Sequence, residues 1–353
     1  MSDAVDLAAA AGGAGGSRAD LPPHLMMVRL LGGFRISRML DTLVQLDVAE
    51  HLAKGPLSVE ALARQTGSHA ASLGRVLRAV AAFGIFSQDE QGRFALTADA
   101  ELLRKDASGS VYSSVKVFGQ SWHWNMWGGL LEAVRTGRPA FEAQHGVDFD
   151  SWSAGDPALA EAIVESKAAM FEPSDDAILD AYDFSAASHV VDVCGGSGAL
   201  VARILARNPR MRGTVYDRAV ALGAARRLMT ARGLTERCSF VEGEGFAEPP
   251  RGDVLLLRGV LHYWGDAEAT RILRACRSVM VEGDRLLVCE MPMPAGNSAF
   301  VGKFIDVESM LLTKEGRERS ESEYRVLLKS AGLRVARVVE TRAPISVIEG
   351  VIA

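Results

Sequence analysis

The chain has 353 residues, enough for about two domains and a sizeable buried core. Hydrophobic residues make up 48% and charged residues 24%, and 44 acidic against 39 basic side chains give a formal net charge of -5. This composition is that of an ordinary globular protein, and it argues against a nucleic-acid binder that depends on a strongly basic surface. No apolar run reaches the roughly 18 to 20 residues that a membrane-spanning helix needs.

The N-terminal segment, residues 1–22, is rich in alanine and glycine, opens with acidic residues and lacks a basic region. We therefore expect a flexible tail rather than a signal peptide, and a cytoplasmic protein. The four cysteines lie far apart and form no CxxC pair or zinc-type cluster. Such isolated thiols are typical of buried small hydrophobes, so neither a disulfide nor a bound metal is expected.

Residues 24–52 carry apolar side chains three and four positions apart, which predicts one helix or a broken pair of helices. The expected core residues are Leu43, Leu46, Val48 and Leu52. Ser58 and Ser68 are placed to cap two following helices, and Phe94-Ala-Leu predicts a strand after a Gln-Gly turn. Two helices followed by a hairpin are typical of a winged-helix unit.

A winged helix suggests DNA binding, but the second helix of this one argues against it. Around residues 71–83 that helix has only Arg75 and Arg78 as basic side chains and is otherwise mainly apolar. A recognition helix needs polar or basic side chains that reach base edges and phosphates. We therefore expect a structural or dimer-forming role and no nucleic-acid partner.

Residues 111–182 are predicted to be helical and include Trp122, Trp124 and Trp127 within six positions. Aromatic side chains on helices usually pack in the core, yet three tryptophans this close also suit a flat wall for an aromatic ligand. Both interpretations stay open on the sequence alone. His123, within the same cluster, is by itself more typical of a hydrogen-bonded histidine than of a catalytic one.

From about residue 187, short β-branched runs alternate with amphipathic helices. The strands are predicted at HVVDV, GTVYD, SFVEG, DVLLLRG and DRLLVCE. This alternation indicates an α/β domain with an open, largely parallel sheet, whose ligands bind at the carboxyl ends of the strands. Residues 323–353 add a helix and two β-rich runs, which predict a closing hairpin at the sheet edge.

The first of these strands ends in Asp192-Val-Cys-Gly-Gly-Ser-Gly and runs directly into an apolar helix. Glycines at such a turn let the backbone approach a ligand closely. The dinucleotide fingerprint GxGxxG does not fit, and an acid before the turn suits a cationic amine better than a pyrophosphate. Asp217 ends the second strand, where a carboxylate either caps the next helix or accepts both ribose hydroxyls of an adenosine. Together these features favour an adenosine-type cofactor.

The chain resembles the S-adenosylmethionine-dependent small-molecule O-methyltransferases of plant phenolic and bacterial polyketide or phenazine metabolism. The resemblance is carried, in order, by VVDVCGGSGAL, GTVYD, LRGVLHYWGDAEATRIL, LLVCE and DVESMLLTKEGRERSESEYRVLLKSAGL. It implies a Rossmann-like class I methyltransferase domain with a mostly parallel seven-stranded sheet, preceded by a mainly α-helical, winged-helix-like dimerisation domain. The implied organisation is a flexible tail at 1–22, a dimerisation domain at 23–110, a helical linker at 111–182 and a catalytic domain at 183–353.

The resemblance also implies S-adenosylmethionine as cofactor, S-adenosylhomocysteine as product and no metal. The glycine loop would hold the methionine part, Asp217 the ribose, and the turn after the third strand the adenine. The implied cofactor residues are Asp192, Gly195, Gly196, Gly198, Asp217, Glu244, Phe246 and Arg258. Cys194 departs from the family, which has the first glycine of its loop there, and residues 243–246 depart from its Gly-Asp-Phe-Phe-like turn. Cysteine is tolerated at residue 194 if its φ is negative. These two departures from the family bear on the affinity for the cofactor.

The family's catalytic histidine corresponds to His262, and the carboxylates that orient it correspond to Glu290 and Glu318. A neutral imidazole accepts a proton near neutral pH, which makes His262 the implied general base; taken alone, it is only a helix-start residue. Tyr263 replaces an aspartate common in the family. The implied acceptor contacts are Trp122, Trp127, Met170, Phe171, Phe304 and Met310, each equally suited to core packing.

The sequence thus predicts an enzyme that methylates a hydroxyl of an aromatic secondary metabolite, of polyketide, phenolic or antibiotic type. One alternative is a relative that keeps S-adenosylmethionine but catalyses a hydroxylation or a pericyclic step. The other is a regulator whose winged helix reads DNA. We expect a homodimer through the N-terminal helices, a small aromatic acceptor, and neither nucleic acid nor membrane as partner.

Overall fold

A computed structural model of the chain describes residues 22–353. These residues form two compact units, the first ending at Gln120 and the second beginning at Ser121. The tail that the sequence predicts over residues 1–22 lies outside the described residues, except for Pro22. No helix within residues 22–353 combines the length and the apolar character needed to span a bilayer.

The first unit is mainly helical and has one small hairpin. Its elements are α1 (Pro23–Gln45), α2 (Val48–Leu52), α3 (Val59–Thr66), α4 (Ala70–Ala81), β1 (Phe86–Gln88), β2 (Phe94–Leu96), α5 (Ala98–Glu101) and α6 (Tyr112–Phe118). Helices α1 and α2 are the predicted broken pair, separated at Asp47 by a left-handed backbone with a φ of 50°. Strands β1 and β2 pair antiparallel after α3 and α4. This is the helix, turn, helix, hairpin order that the sequence predicts.

The predicted core of this unit is confirmed, with Leu46 at its margin. Leu43, Val48 and Leu52 are buried, and Leu46 is partly buried against them. The N-terminal half of α1 carries large apolar side chains that are exposed within the described chain, with Leu31 at 72%. They are Met27, Val28, Leu30, Leu31 and Phe34. Five large exposed apolar side chains on one helix are typical of an interaction surface.

One of the two predicted helix caps is confirmed and the other is wrong. The Ser58 hydroxyl accepts a hydrogen bond from the Ala61 N–H at 3.3 Å, which satisfies a free donor at the start of α3. Helix α4 has His69 at its N-cap position, without a side-chain cap. Ser68 lies one residue too early, and its hydroxyl bonds to that of Thr66 at 2.8 Å instead.

The second unit is an α/β domain. Its helices are α7 (Ser121–Gly128), α8 (Leu130–Thr136), α9 (Ala140–His145), α10 (Phe149–Ala154), α11 (Pro157–Ala181), α12 (Ala199–Arg207), α13 (Ala219–Ala231), α14 (Asp266–Val279), α15 (Gly302–Leu312) and α16 (Glu321–Ser330). Its strands are β3 (His189–Val193), β4 (Arg212–Asp217), β5 (Cys238–Glu242), β6 (Val254–Arg258), β7 (Arg285–Glu290), β8 (Leu333–Glu340) and β9 (Ser346–Ile352). Short 3₁₀ turns lie at Thr235–Arg237 and Leu261–Tyr263.

The strands of this unit form one sheet in the order β5-β4-β3-β6-β7-β9-β8. Strands β3 to β7 run parallel, and β9 lies antiparallel between β7 and β8. The central strands are covered on both faces, since Val190, Val191, Leu255 and Leu256 are fully buried. The predicted parallel sheet and its closing hairpin are confirmed. The chain leaves β3 toward β4 on one side and returns to β6 on the other, which opens a crevice at the carboxyl ends of these strands.

Candidate active site

A cavity of about 700 Å³ lies at the carboxyl ends of β3, β4, β5 and β6, a volume typical of small-molecule sites. The segment after each strand contributes to its wall, at residues 194–197, 217–218, 243–246 and 258–260. Side chains of α11 and the segment 312–315 line other parts of it. The glycine turn and Asp217, predicted separately, therefore lie in one cavity.

The glycine turn after β3 needs glycine for two different reasons. Gly195 lies so close to Asp192 that a β-carbon on it would be 2.7 Å from the carboxyl carbon of that side chain. Gly198, where α12 begins, has a φ of 70°, which side chains other than glycine rarely adopt. The Gly196 N–H donates to an Asp217 carboxylate oxygen at 2.8 Å. This hydrogen bond ties the loop to the end of β4.

Cys194 adopts a backbone conformation that contradicts the condition under which a cysteine is tolerated at this position. Its φ is 58°, in the left-handed region, whereas the sequence argument required a negative φ. A β-carbon in that region costs roughly 1–2 kcal/mol. The thiol packs close to Gly245, where an added β-carbon would lie 2.9 Å from the sulfur. The loop therefore holds backbone strain beside the predicted cofactor site.

Asp192 lies behind the glycine loop rather than in the cavity wall. It is 1% exposed, and neither carboxylate oxygen has a hydrogen-bond partner among residues 22–353. Burial raises its pKa to about 7, while the charge of Arg258 opposes the shift. A buried carboxylate in this state is stabilised by a cation placed beside it. The residue thus fits a cofactor that carries an ammonium and a sulfonium group.

Arg258 ends β6 and lines the cavity from a fixed position. Its Nε lies 3.4 Å from a carboxylate oxygen of buried Asp175, an ion pair without hydrogen-bond geometry. The guanidinium carbon is 4.7 Å from the centroid of the Phe171 ring. Burial raises the pKa of Asp175 to about 6, and the charge of Arg258 again opposes the shift. One arginine therefore offsets two buried carboxylates, Asp175 and Asp192.

Asp217 presents a partly used carboxylate to the cavity. It accepts the backbone N–H groups of Gly196 at 2.8 Å and Arg218 at 2.7 Å. A carboxylate has about four acceptor positions. About two of them therefore remain for the pair of hydroxyls on a ribose. Burial raises the pKa of Asp217, while the two N–H donors oppose the shift. These contacts fit the predicted ribose site.

The turn after β5 adds an aromatic surface to the wall. Glu244 and Phe246 both line the cavity, and the Phe246 ring packs edge-on against Trp264 with centroids 4.7 Å apart. The Tyr216 hydroxyl donates to the Glu244 carbonyl at 3.0 Å, which fixes the turn. A planar base fits against such rings. The predicted adenine contacts are thus placed at the cavity, next to Trp264.

His262 lies in the 3₁₀ turn directly after β6, and Glu290 ends the neighbouring β7. One Glu290 oxygen is 2.9 Å from His262 Nδ1, and the other accepts the N–H groups of Val260 and Leu261 at 3.0 and 2.7 Å. One carboxylate thus fixes both the turn and the ring. Nε2 is the ring nitrogen that does not contact Glu290. Burial disfavours the protonated ring, but the charge and hydrogen bond of Glu290 outweigh it and raise the pKa of His262 to about 9.

Glu318 is the third residue of this buried group. Its backbone N–H donates to an Asp306 oxygen at 2.8 Å, and burial raises the pKa of its carboxyl group to about 7 against the charge of His262. The structure therefore brings the predicted histidine and both predicted carboxylates together. His262 itself does not line the cavity, whereas its neighbours Val260 and Tyr263 do.

Arg319 holds the same turn from the other side and escaped prediction. It is fully buried, and its guanidinium donates to the carbonyls of Leu261 at 2.8 Å and Trp264 at 2.7 Å. Its Nε donates to an Asp266 oxygen at 2.9 Å. These acceptors bracket His262, so Arg319 fixes the backbone that carries it. Arginine is rarely buried, and nothing in the local sequence signals this role.

The predicted acceptor contacts are mostly placed elsewhere. Phe171 lines the cavity, while the other five do not. Trp122 is buried among the rings of Phe141, Phe149 and Trp152, with centroids 5.1 to 6.1 Å away, as a core residue would be. Trp127 donates from its indole N–H to His123 at 3.3 Å. Met170 and Phe304 are exposed and Met310 is partly buried. As acceptor contacts, these residues stay predictions.

Comparison with known protein families gives two matches. The profile of the O-methyltransferase domain matches residues 127–334. That of the O-methyltransferase dimerisation domain matches residues 28–106. Together they span both units of the structure.

Curated relatives match over most of their length. The chain is 32% identical over 330 residues to phenazine O-methyltransferase of Lysobacter antibioticus, covering 93% of this chain and 96% of that one. It is 36% identical over 328 residues to the mitomycin biosynthesis 6-O-methyltransferase of Streptomyces lavendulae, covering 91% and 92%. It is also 33% identical over 326 residues to the aclacinomycin 10-hydroxylase of Streptomyces purpurascens, covering 88% and 84%.

Solved structures agree with these matches. The structure of LaPhzM superposes with a TM-score of 0.91 at 32% identity, over 94% of this chain and 100% of that one. The calicheamicin biosynthesis methyltransferase CalO1, in its S-adenosylhomocysteine-bound form, superposes with a TM-score of 0.80 at 32% identity, over 96% and 100%.

Proposed function

The chain belongs to the S-adenosylmethionine-dependent O-methyltransferase family, and we propose that it methylates a hydroxyl of an aromatic small molecule of the secondary-metabolite type. S-adenosylmethionine supplies an electrophilic methyl group on a cationic sulfur when it is bound. The observation that carries the proposal is the His262–Glu290 pair, 2.9 Å apart, beside a cavity with a glycine loop and a ribose-type carboxylate.

The wall residues divide between the two ligands. Asp217, Phe246 and the glycine loop would hold the cofactor, with Asp192 as a buried negative charge behind its cationic part. Arg258, held by Asp175 and Phe171, reduces the repulsion between the buried carboxylates of Asp175 and Asp192. The apolar part of the wall, which includes Phe171, is left for a flat acceptor.

The His262–Glu290 pair would take up the proton that the acceptor hydroxyl loses. Glu290 orients the ring through Nδ1 and stabilises the charge that the ring gains, as a fixed carboxylate does for a histidine base. Such a base contributes roughly 10²- to 10⁴-fold to the rate. Because the pKa of His262 is raised to about 9, the neutral ring is the minor form at neutral pH. We therefore expect turnover to rise with pH toward that value.

The activities for which the relatives are named support an aromatic acceptor. They include enzymes named for phenazine and mitomycin O-methylation, and a solved relative was crystallised with a naphthoic acid. One relative, however, is named a hydroxylase and is 33% identical. A non-methylating reaction on the same fold is therefore the second candidate. Release of S-adenosylhomocysteine separates the two, because only methyl transfer produces it.

The test begins with calorimetric titration of the full chain with S-adenosylmethionine. The same sample is then screened for S-adenosylhomocysteine release with a hydroxyphenazine, a hydroxynaphthoate and a simple phenol. Binding followed by release supports the proposal. Binding without release from any of the three favours the non-methylating candidate, and failure to bind refutes the assignment of the cofactor site.

His262→Ala tests the proton acceptor within the same assay. The variant is expected to bind S-adenosylmethionine normally and to lose about 10²-fold or more in turnover. His189→Gln is a matched control. His189 begins β3 at the end of that strand away from the glycine loop, and a glutamine amide can replace the contact that its Nε2 makes with the Thr214 hydroxyl at 2.9 Å. Normal turnover by His262→Ala would refute the assignment of the base.

We also propose a homodimer. The dimerisation domain profile covers residues 28–106, and α1 exposes an apolar face within that range. Burying such a face against a second copy removes apolar surface from water, which stabilises the pair.

A further inference from the structure

One face of helix α11 forms part of the cavity wall, and it is apolar except at one position. Its side chains form two rows with a spacing of four residues, as neighbours on one helix face do. They are Ala160, Ile163, Val164, Lys167, Ala168 and Phe171. Lys167 thus places an ammonium group within a surface that otherwise suits the ring of a flat acceptor.

Lys167 lacks the carboxylate partner that the arginines of the wall have. Arg218 is paired with Asp150 at 3.3 Å. Arg258 is paired with Asp175 at 3.4 Å. In the part of the chain that the structure describes, no carboxylate oxygen lies within 4.0 Å of the Lys167 nitrogen. A partly buried ammonium group in this state is stabilised by a ligand that brings a negative charge to it.

Tyr263 holds this ammonium group in place. The Lys167 nitrogen lies 4.3 Å from the centroid of the Tyr263 ring, within the range of a cation–π contact. Burial opposes the charge, but Tyr263 and the more distant carboxylates of Asp150 and Asp217 outweigh burial and raise the pKa of the ammonium. Lys167 is therefore a positive charge with a defined position at neutral pH.

Tyr263 also sets how far this charge lies from the proposed base. The ring centroids of Tyr263 and His262 are 4.2 Å apart. The distance from the Lys167 nitrogen to the centre of the His262 ring therefore cannot exceed this separation and the cation–π distance added together. One aromatic ring that carries a hydroxyl and a carboxylate spans such a gap, with a hydrogen bond at each end. An acceptor whose hydroxyl meets His262 thus reaches Lys167 with an anionic substituent.

Two sources of a carboxylate are available in this cavity, the acceptor and the methionine part of the cofactor. The methionine part is assigned to the glycine loop at the end of β3, in front of Asp192. Lys167 instead contacts the turn that carries His262. The acidic side chains that dominate the rest of the wall repel an anion, so the end of the cavity beside Lys167 suits an acceptor carboxylate. Position therefore favours the acceptor as the source.

We propose that Lys167 binds a carboxylate of the acceptor, and that the chain therefore prefers an aromatic acceptor with a carboxylate and the methylated hydroxyl on one ring. This inference deepens the proposed function and rests on it, because it takes the same cavity as the acceptor site. The carboxylate pairs with the ammonium, the ring lies on the apolar face of α11, and the hydroxyl faces the turn of His262. Lys167 is a binding residue that sets specificity, and no bond forms or breaks there.

The first test is binding and needs no turnover. The full chain, saturated with S-adenosylhomocysteine, is titrated in a calorimeter with a hydroxynaphthoate whose two substituents share one ring. The corresponding hydroxynaphthamide is titrated in the same way, since it has nearly the same shape and no charge. The unmodified chain should bind the naphthoate about 10- to 100-fold more tightly, the range that one charge-assisted contact gives.

Three variants assign this preference to one side chain. Lys167→Met removes the charge and fits the apolar face, so it should fold and bind the two ligands alike. Lys167→Arg keeps the charge and should keep most of the preference. Lys329→Met is the matched control, because it removes the same charge from an exposed position on α16 that does not line the cavity. It should bind both ligands as the unmodified chain does.

The second test separates the acceptor from the cofactor as the source of the carboxylate. S-adenosylhomocysteine carries the methionine carboxylate, and its affinity should be nearly the same for Lys167→Met as for the unmodified chain. With the hydroxynaphthoate as substrate, the KM of Lys167→Met should rise by about 10- to 100-fold and kcat should change less. With the amide, the KM should change little.

Several outcomes would overturn the proposal. The unmodified chain would bind the hydroxynaphthoate no better than the amide, or not at all, or the preference would survive in Lys167→Met. A loss of S-adenosylhomocysteine affinity in Lys167→Met, with the acceptor preference intact, would assign the lysine to the cofactor instead. Failure of the proposed function gives a different result: no acceptor releases S-adenosylhomocysteine, while the preference for the naphthoate is present and is lost in Lys167→Met.

Discussion

Replacement of Arg319 tests whether the turn that carries His262 depends on one buried side chain. The guanidinium donates to two backbone carbonyls, those of Leu261 and Trp264, and to the Asp266 carboxylate, at 2.7 to 2.9 Å. Lysine presents its donors from a single point and cannot reproduce this fork. Methionine leaves both carbonyls without their buried donor. Arg319→Lys therefore removes part of these hydrogen bonds, and Arg319→Met removes all of them.

The magnitude follows from those contacts. A buried polar group that loses its partner costs about 1–3 kcal/mol, so two orphaned carbonyls give about 2–6 kcal/mol for Arg319→Met. The ion pair with Asp266 adds less than about 1 kcal/mol, because the Asp266 side chain is 60% exposed. Arg319→Lys, which keeps the charge and part of the bonding, should cost about half as much. A shift of about 1 Å in a reacting group costs about 10²-fold in rate, and this loss should appear in kcat.

The assay combines chemical unfolding with steady-state kinetics. Arg319→Lys is the informative variant, because it is expected to stay folded, lose kcat and keep its affinity for S-adenosylmethionine. Arg317→Lys is the matched control: Arg317 bonds Glu323 and Asp266 but is 40% exposed, so its replacement should cost less than about 1 kcal/mol. If Arg319→Lys and Arg317→Lys behave alike in both assays, Arg319 does not position the turn.

Three further predictions concern strain, pH and assembly. Cys194→Gly should be more stable than Cys194→Ala by about 1 kcal/mol in chemical unfolding, because only glycine adopts the φ of 58° without strain; the reverse order would mean that the loop is relaxed. The raised pKa of His262 stabilises the fold fully below about pH 6.5, and this contribution disappears as the pH rises to about 9. Glu290→Gln should therefore lose stability mainly below pH 9, as thermal unfolding across pH would show, and a constant difference would contradict the linkage. Leu31→Glu, on the exposed face of α1, should shift sedimentation from dimer to monomer; a monomeric unmodified chain would contradict the interface.

The fold was predictable because its signals are local and repeated. Strands β3, β4, β6 and β7 are apolar runs, and strands covered on both faces give this pattern. The cap of α4 failed because its signal depends on a single position: Ser68 lies one residue before the N-cap, His69. A shift of one residue leaves helix periodicity intact but removes a cap.

The placement of the candidate site residues was predictable where they lie at strand ends, and unpredictable where it depends on contacts between distant parts of the chain. The glycine loop, Asp217 and Glu290 follow strands, and parallel strands bring their ends together. Arg319 could not be found because its carbonyl acceptors lie 55 and 58 positions away in the chain. Trp122 was ambiguous because a cluster of rings satisfies itself as well as it would satisfy a ligand.

The charges of the cavity lead to a prediction about ligand discrimination. The wall carries seven acidic and four basic side chains, and buried Asp192 adds a negative charge behind the glycine loop. This excess favours the cationic sulfur of S-adenosylmethionine over the neutral sulfur of S-adenosylhomocysteine. Asp192→Asn should therefore weaken binding of the first ligand more than that of the second, by about tenfold for each 1.4 kcal/mol of lost attraction.

The same substitution should stabilise the ligand-free chain, because a carboxylate whose pKa is raised to about 7 by burial destabilises the fold in its ionised form. Calorimetric titration with both ligands, together with thermal unfolding without ligand, measures the two effects on one protein. Glu315→Gln is the control, since Glu315 is an exposed wall residue whose charge salt screens. Equal weakening of both ligands by Asp192→Asn would mean that Asp192 supports the loop sterically, through its contact with Gly195, and not through its charge.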